Sequence, residues 1–254
     1  MTTILLPPSE TKRAGGSGEP LDVDGLALGT LRSPREAVAA SVVALAADPD
    51  RAARVLKLSE RQRAAAVSDN ASLLHSPTMA AIDRYTGVLF DALDASTLDA
   101  PARAWLGARA FIHTAPFGPV RALDPIPSYR LAAGASLPDL PPLKRLWAPA
   151  VTEALEREAH PLVIDLRSQA YVALGPVPEG LASTYVRVVT DTADGSTRAL
   201  NHFNKKAKGE FARRIAVDRP ELATADDLIA WAAGAGIRMR PGAARGETEL
   251  VVAE

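Results

Sequence analysis

Residues 201–214 read NHFNKKAKGEFARR, five basic side chains against one Glu in a chain of net charge -1. At about 100° per residue the segment winds into an amphipathic helix. Ala207, Phe211 and Ile215 form an apolar stripe, while Lys205, Lys206, Lys208 and Arg213 fall on the opposite arc with Gly209 among them. The stripe requires a covering surface, so this helix must lie against the rest of the fold. Gly209 lacks a Cβ and would let an anion approach the backbone. Asn201 is a candidate cap, and its helix end would add a partial positive charge. A solvated basic face and an anion site both fit this pattern. Cations crowded opposite an anchored stripe favour the anion site.

The chain has 254 residues, 47% of them hydrophobic and 23% charged, enough to bury a substantial core. With no cysteine, disulfides, thiolate nucleophiles and Cys-based metal centres are excluded. The four histidines (His75, His113, His160 and His202) show no ligand spacing, so neither a metal site nor a cofactor is expected. No apolar run approaches the roughly 18 residues of a membrane span, and no basic region precedes the apolar start, so a cytoplasmic protein without membrane contact is expected. The near-neutral charge means that binding to nucleic acid must come from a local patch.

Residues 2–6 make a short apolar strand ended by Pro7 and Pro8, and 9–18 should be an exposed loop. Ser33 as cap and Pro34 at the first helical position predict a helix over 33–48, followed by a helical pair at 50–57 and 59–67. Residues 110–113 read as a strand. The proline-rich run 116–130 is too long and too proline-bound for regular structure, and its large and charged residues suggest a packed, shaped loop. Helix is predicted at 143–159 and a buried strand at 161–166. Strands at 185–190 and 197–200 flank Asp194 and Gly195, a hairpin turn. A helix at 226–233 and a strand at 248–252 complete the chain. Helices and strands alternate without a clean βαβ rhythm, which predicts one α+β domain over 1–254 with a single mixed sheet.

Seven segments, in order and nearly full length, resemble the YaaA family of bacterial peroxide-stress proteins. They are 5–12 (LLPPSETK), 85–88 (YTGV), 117–124 (FGPVRALD), 128–131 (SYRL), 163–166 (VIDL), Tyr171 and 203–209 (FNKKAKG). The resemblance implies a slice-shaped α+β fold with a basic cleft that binds DNA, helped by a helix–hairpin–helix element. It also implies a role in limiting damage from peroxide and unincorporated iron. Matching positions put Lys205, Lys206 and Lys208 in the cleft, and the hairpin equivalent falls near 54–67. Such hairpins bind phosphate through backbone N–H groups freed by a glycine turn. Residues 58–63 contain no glycine, so the turn reads as conformationally ordinary, with Ser59 as cap and Arg61 and Arg63 as phosphate partners.

Further candidates lie elsewhere. Glu10 and Lys12 follow the first strand, either paired at a cleft or merely exposed. In the proline-rich run, Arg121 and Arg130 are phosphate clamps and Tyr129 a base-stacking platform, although an internal Arg121–Asp124 brace explains that pair as well. Asp165 reads as a brace for a neighbouring cation or an acid/base group, and Tyr171 as core. One functional class is a DNA-binding protein whose affinity rests on charge. The other is an enzyme acting on a nucleobase, a nucleotide, damaged DNA or a small phosphorylated ligand. There Lys205, Lys206 or Lys208, its pKa lowered by neighbouring cations, is the nucleophile, and Asp165 or Asp124 the acid/base group. A scaffold binding an acidic protein is a third.

Overall fold

The computed structural model describes residues 2–158, 160–191, 197–199 and 203–252. In chain order the strands are β1 (Thr3–Leu6), β2 (Met79–Ala80), β3 (Ala110–Thr114), β4 (Gly118–Arg121), β5 (Pro125–Ile126), β6 (Val163–Asp165), β7 (Ser183–Asp191), β8 (Thr197–Ala199), β9 (Met239–Pro241) and β10 (Glu247–Val251). The helices are α1 (Arg32–Ala46), α2 (Pro49–Val55), α3 (Glu60–Ala71), α4 (Ala81–Arg84), α5 (Val88–Leu93), α6 (Ala100–Arg109), α7 (Leu143–Arg157), α8 (Gln169–Val172), α9 (Phe203–Asp218) and α10 (Ala225–Gly234).

The main sheet runs β4-β3-β1-β6-β7-β10-β9, with β8 added to the end of β7; β2 and β5 form a separate ribbon. β1 lies parallel to both β3 and β6, and β6–β7 and β7–β10 are also parallel. β4 and β9 close the two ends antiparallel. The fold is thus α+β with a mostly parallel mixed sheet. Every residue of β1, β3 and β6 is buried, which is why these strands read as unbroken apolar runs rather than alternating ones. Buried residues from Ile4 to Leu250 join in one connected core.

Helices follow their sequence signals with small displacements. Asp48 caps α2 through Arg51 N at 2.9 Å. Ser59 and Gln62 form a capping box at the start of α3. Ser33 does not cap α1: the helix begins at Arg32 after a short 3-10 turn, so Ser33 is already inside it. Helix α6 carried a signal that sequence reading passed over, the Asp99 cap with Pro101 in the first turn. The proline-rich run is packed as expected, with Phe117 and Tyr129 buried, but it is not irregular throughout. Its first part is β4, paired to β3, and its middle is β5, paired to β2. Pro119 and Pro125 are tolerated there because β4 is an edge strand and β5 belongs to a two-stranded ribbon. Asn201 and the turn at Asp194 and Gly195 lie outside the described residues. Among the described residues, no helix is long and apolar enough to cross a membrane.

Candidate functional site

The order β3-β1-β6 creates a switch point. From the carboxyl end of β1 the chain goes on to β3 on one side; from the adjacent β6 it goes on to β7 on the other. Open sheets of this kind hold their ligands just beyond such strand ends. Lys12 follows β1, Arg167 follows β6, and His113 is the penultimate residue of β3, so three sequence-distant segments meet at one edge.

The segment after β1 is fastened to a second strand-like piece of chain. Thr11 accepts from Thr86 N at 3.2 Å, Arg13 N donates to Arg84 at 2.8 Å, and Lys12 bridges antiparallel to Tyr85. Gly87 is required here. Its φ is 94°, and an added Cβ would crowd the hydroxyls of Thr11 and Ser9 at 3.1 and 3.2 Å. Behind this segment the buried Arg84 donates to the carbonyls of Arg13 and Gly15, both at 2.7 Å. The exposed loop predicted over 9–18 is therefore exposed but anchored.

Lys12 Nζ donates to the carbonyls of Ser9 at 3.2 Å and Glu10 at 3.4 Å and lies 4.1 Å from the centre of the Tyr129 ring. The Tyr85 ring is 5.3 Å away, and the two tyrosine hydroxyls share a 2.5 Å hydrogen bond. Burial, then the Arg130 guanidinium, brings the ammonium down from 10.5 to about 7. The ring faces pull the other way, since a π face attracts a cation. Burial raises both tyrosines, so their hydroxyls stay protonated at neutral pH. The end of α3 sets the tyrosine in place: Asn70 accepts from Arg130 N at 2.8 Å and donates to its carbonyl at 2.9 Å, while Asp69 accepts from Ser128 at 2.7 Å. Arg130 itself pairs at 3.1 Å with Glu10, whose side chain is 74% exposed.

On the other side of β1, Asp165 grips the fully buried Arg167 twice, Nε to Oδ1 at 2.9 Å and Nη2 to Oδ2 at 2.6 Å. Arg167 Nη1 also donates to Gly175 at 2.8 Å and to His113 Nδ1 at 2.9 Å. His113 is therefore a neutral acceptor at Nδ1, its pKa held well below the ordinary range by burial and by Arg167. Tyr171, predicted as core, is only partly buried; its ring is tilted by 59° to that of His113, with centres 5.8 Å apart, and it lies near Glu10 and Arg130, linking the two halves.

The basic helix is divided. α9 packs chiefly on α5, with Ala207, Phe211 and Ile215 buried as the stripe demanded and Ala212 buried beside them. Lys205 and Lys206 are exposed, Lys206 pairing with Glu210 at 3.3 Å. Lys208 does not join them. It is buried, points to the Arg167 carbonyl at 3.4 Å and to the Tyr185 ring at 5.1 Å, and is lowered to about 8 by burial. Gly209 gives no opening to an anion: its missing Cβ lets α9 touch the Leu89 carbonyl, which an added Cβ would meet at 2.1 Å. Arg213 caps α5 through the carbonyls of Leu93 and Asp94 at 2.9 and 2.7 Å. A projection at 100° per residue gives no sign that both α5 and α6 pack on this helix.

Arg121 and Asp124 are not at this edge. Arg121 pairs with Phe111 at the start of β3, the opposite edge, where it contacts the Ala108 carbonyl and Glu158. Asp124 braces the chain as the alternative reading allowed, but through backbone N–H groups of Ala27 and Arg121, each at 2.9 Å, not through the guanidinium. Arg61 is exposed on α3, and Arg63 beside it pairs with Asp50 and, at 3.9 Å, with Glu60. The turn between α2 and α3 is not ordinary, for Lys57 takes the left-handed conformation (φ 53°) that glycine fills in other hairpins.

Fold and site together define an open-sheet α+β protein with a cluster of cations and tyrosines at its strand switch point. Residues 2–238 match the family model described as peroxide stress protein YaaA, and the chain belongs to that family. It is 45% identical over 238 residues to a UPF0246 protein of Corynebacterium glutamicum strain R, covering 92% of this chain and 93% of the other. A UPF0246 protein of Corynebacterium efficiens is 43% identical over 253 residues, covering 98% and 99%. One from Streptomyces coelicolor is 40% identical over 214 residues, covering 84% and 82%.

Proposed function

We propose that this chain is a cytoplasmic DNA-binding protein that contributes to resistance against peroxide and limits iron-driven oxidative damage. The observation that carries this reading is the convergence of Lys12, Arg130, Arg167 and Lys208 at the switch point, with the exposed Lys205 and Lys206 at the start of α9. In this reading the partly and fully exposed Arg130, Lys205 and Lys206 present the basic surface, and the buried Arg167 and Lys208 add positive potential from beneath it. Arg167 is matched by Asp165 and Arg130 by the exposed Glu10, whereas no carboxylate lies at ion-pair distance from Lys12 among the described residues. A phosphate could replace Glu10 at the Arg130 fork without leaving a buried charge behind. The α2–α3 hairpin supplies the helix–hairpin–helix element, its left-handed Lys57 turn doing what glycine does elsewhere and Arg61 free to reach backbone phosphate. A role in iron homeostasis would be indirect, through occupation of DNA.

Fluorescence anisotropy of labelled duplex, single-stranded and gapped DNA across a salt series tests this. Binding should weaken with salt, and Lys205→Ala/Lys206→Ala should lower the slope by up to roughly two units, about 0.9 per phosphate contact on duplex. No binding by the parent protein at low salt would refute the reading.

A second reading is favoured by the two lysines lowered to about 7 and about 8. An amine in this range is partly neutral at physiological pH and can act as a nucleophile on a nucleotide, a damaged nucleic acid or a small phosphorylated ligand. Of the lysines proposed from the sequence, Lys208 stays a candidate, and Lys12 takes the place of the exposed Lys205 and Lys206. Trapping of a covalent adduct by borohydride separates this class from simple binding.

A further inference from the structure

We propose that Lys12 is an imine-forming nucleophile for anionic aldehydes, with Arg130 as the seat of the phosphate and the Tyr85–Tyr129 pair as the neighbouring proton source. The proposal rests on the second reading above and names its nucleophile and substrate class. Its basis is geometric. Lys12 Nζ is oriented by two backbone carbonyls, at 3.2 and 3.4 Å, and by the flat face of Tyr129 at 4.1 Å. These contacts hold the nitrogen in place with no carboxylate at ion-pair distance among the described residues; Asp69 and Glu10, which favour its charged form from further away, are outweighed by burial and Arg130. The backbone on which it rides is fixed by the Tyr85 bridge and the Thr86–Thr11 hydrogen bond. Arg130 lies close enough to depress the Lys12 ammonium, and its own acidic partner, Glu10, is an exposed side chain that an incoming phosphate can displace. The two tyrosine hydroxyls satisfy each other, and burial keeps them protonated.

Lys208 has a lowered ammonium as well, but its surroundings differ. It is buried beneath the Arg167 carbonyl, whereas Lys12 is only partly buried, so Lys208 is the less accessible amine of the two.

The step is balanced within these groups. The neutral Lys12 amine adds to the carbonyl carbon; a C–N bond forms as the C=O π pair moves to oxygen. A proton passes from nitrogen to that oxygen, giving a carbinolamine. A proton from the tyrosine pair to the hydroxyl lets water leave as the C=N bond forms, and the iminium N–H returns that proton to the pair, leaving a neutral imine. Water is the only by-product, and neither oxidant nor reductant takes part. The shared ligand chemistry is an aldehyde with phosphate attached, which a sugar phosphate carries in solution and an abasic site carries within DNA.

The full-length protein is incubated separately with glyceraldehyde 3-phosphate and with an oligonucleotide bearing one abasic site. Each mixture contains sodium cyanoborohydride, and adducts are mapped by peptide mass spectrometry. Lys12 should carry the reduced adduct, at least tenfold over any other lysine, with a pH–rate profile turning near 7, and Lys12→Arg should lose it. Labelling with only the free sugar phosphate, or only the abasic oligonucleotide, identifies the source. An adduct on Lys208 or spread over surface lysines, or none with either probe, overturns the assignment. Competitive acetylation of the unmodified protein supplies a check that needs no variant: Lys12 must show a reactivity midpoint near 7, and one near 10 overturns it. Intact DNA tested by anisotropy remains a separate readout, so failure of DNA binding and failure of imine formation are distinguishable.

Discussion

The two sides of β1 treat buried positive charge in opposite ways. On the β6 side, Arg167 has its charge answered by Asp165 and its remaining hydrogens by Gly175 and His113. On the other side, Lys12 meets carbonyl oxygens and aromatic faces, while the nearest carboxylates, Asp69 and Glu10, are engaged by Ser128 and Arg130. A fully matched charge stays ionised and holds structure together; a poorly matched one shifts toward neutrality and becomes available for chemistry. The difference separates a brace from a reactive group within one cluster.

The contrast is broken most readily at Asp165. Asp165→Ala should strand the Arg167 guanidinium and destabilise the protein by about 3–5 kcal/mol in urea unfolding. A loss below about 1 kcal/mol would mean that Arg167 is solvated and that the two sides do not differ. Next in size is Gly209→Ala, which forces α9 away from the Leu89 carbonyl and should cost about 1–3 kcal/mol. If the parent midpoint is retained, the α5–α9 contact does not set the position of Lys208. Tyr85→Phe removes one hydroxyl of the buried pair and should cost about 1 kcal/mol by the same assay. It should also slow trapping at Lys12 without moving the unfolding midpoint of Arg167 variants.

A pH dependence sharpens the same contrast. The Lys12 pKa is about 7 in the folded protein against 10.5 as its ordinary value, so between these limits the unfolded chain binds more protons. Stability therefore rises with pH through this window through Lys12, and that contribution is at its full value above 10.5 and lost below about 7. Lys12→Gln should flatten the rise; an unchanged slope would mean that the amine is not depressed. The smallest effect belongs to Lys205→Ala/Lys206→Ala, whose urea midpoint should equal the parent's because both side chains are exposed.

Much of the fold was legible because it is local. The buried runs of β1, β3 and β6, the caps at Ser59 and the apolar stripe of α9 each declare themselves within a few residues. β4 and β5 were hidden because proline suppresses the strand signal, and only an edge strand or an isolated ribbon accommodates it. The parallel sheet was hidden by its crossovers, since the connection from β1 to β3 holds six helices and a separate strand rather than one helix. The site was legible as a set of residue types but not as an arrangement. Lys12, Tyr129 and Asp165 were all singled out, yet nothing local places Lys12 on a ring 117 positions away. His113 and the buried Arg35 and Arg84 went unread, because their partners are carbonyls and a guanidinium contributed by distant loops. Lys208 was misplaced outward for the complementary reason: helical periodicity gives angle around an axis, not how many neighbours enclose it.

The position of β1 also bears on how the chain comes off the ribosome. Its four residues are made more than a hundred positions ahead of their partners, since both their hydrogen-bonding edges are filled by strands that begin at Ala110 and Val163. During synthesis this apolar segment has no partner on one side until the first is translated and none on the other until the second. A nascent chain paused before residue 163 therefore displays an unpaired edge of an interior strand of the sheet, the feature that recruits chaperones or invites aggregation. The brace at Arg167 is completed only after that, so the architecture makes assembly of the site one of the later events in the life of the polypeptide.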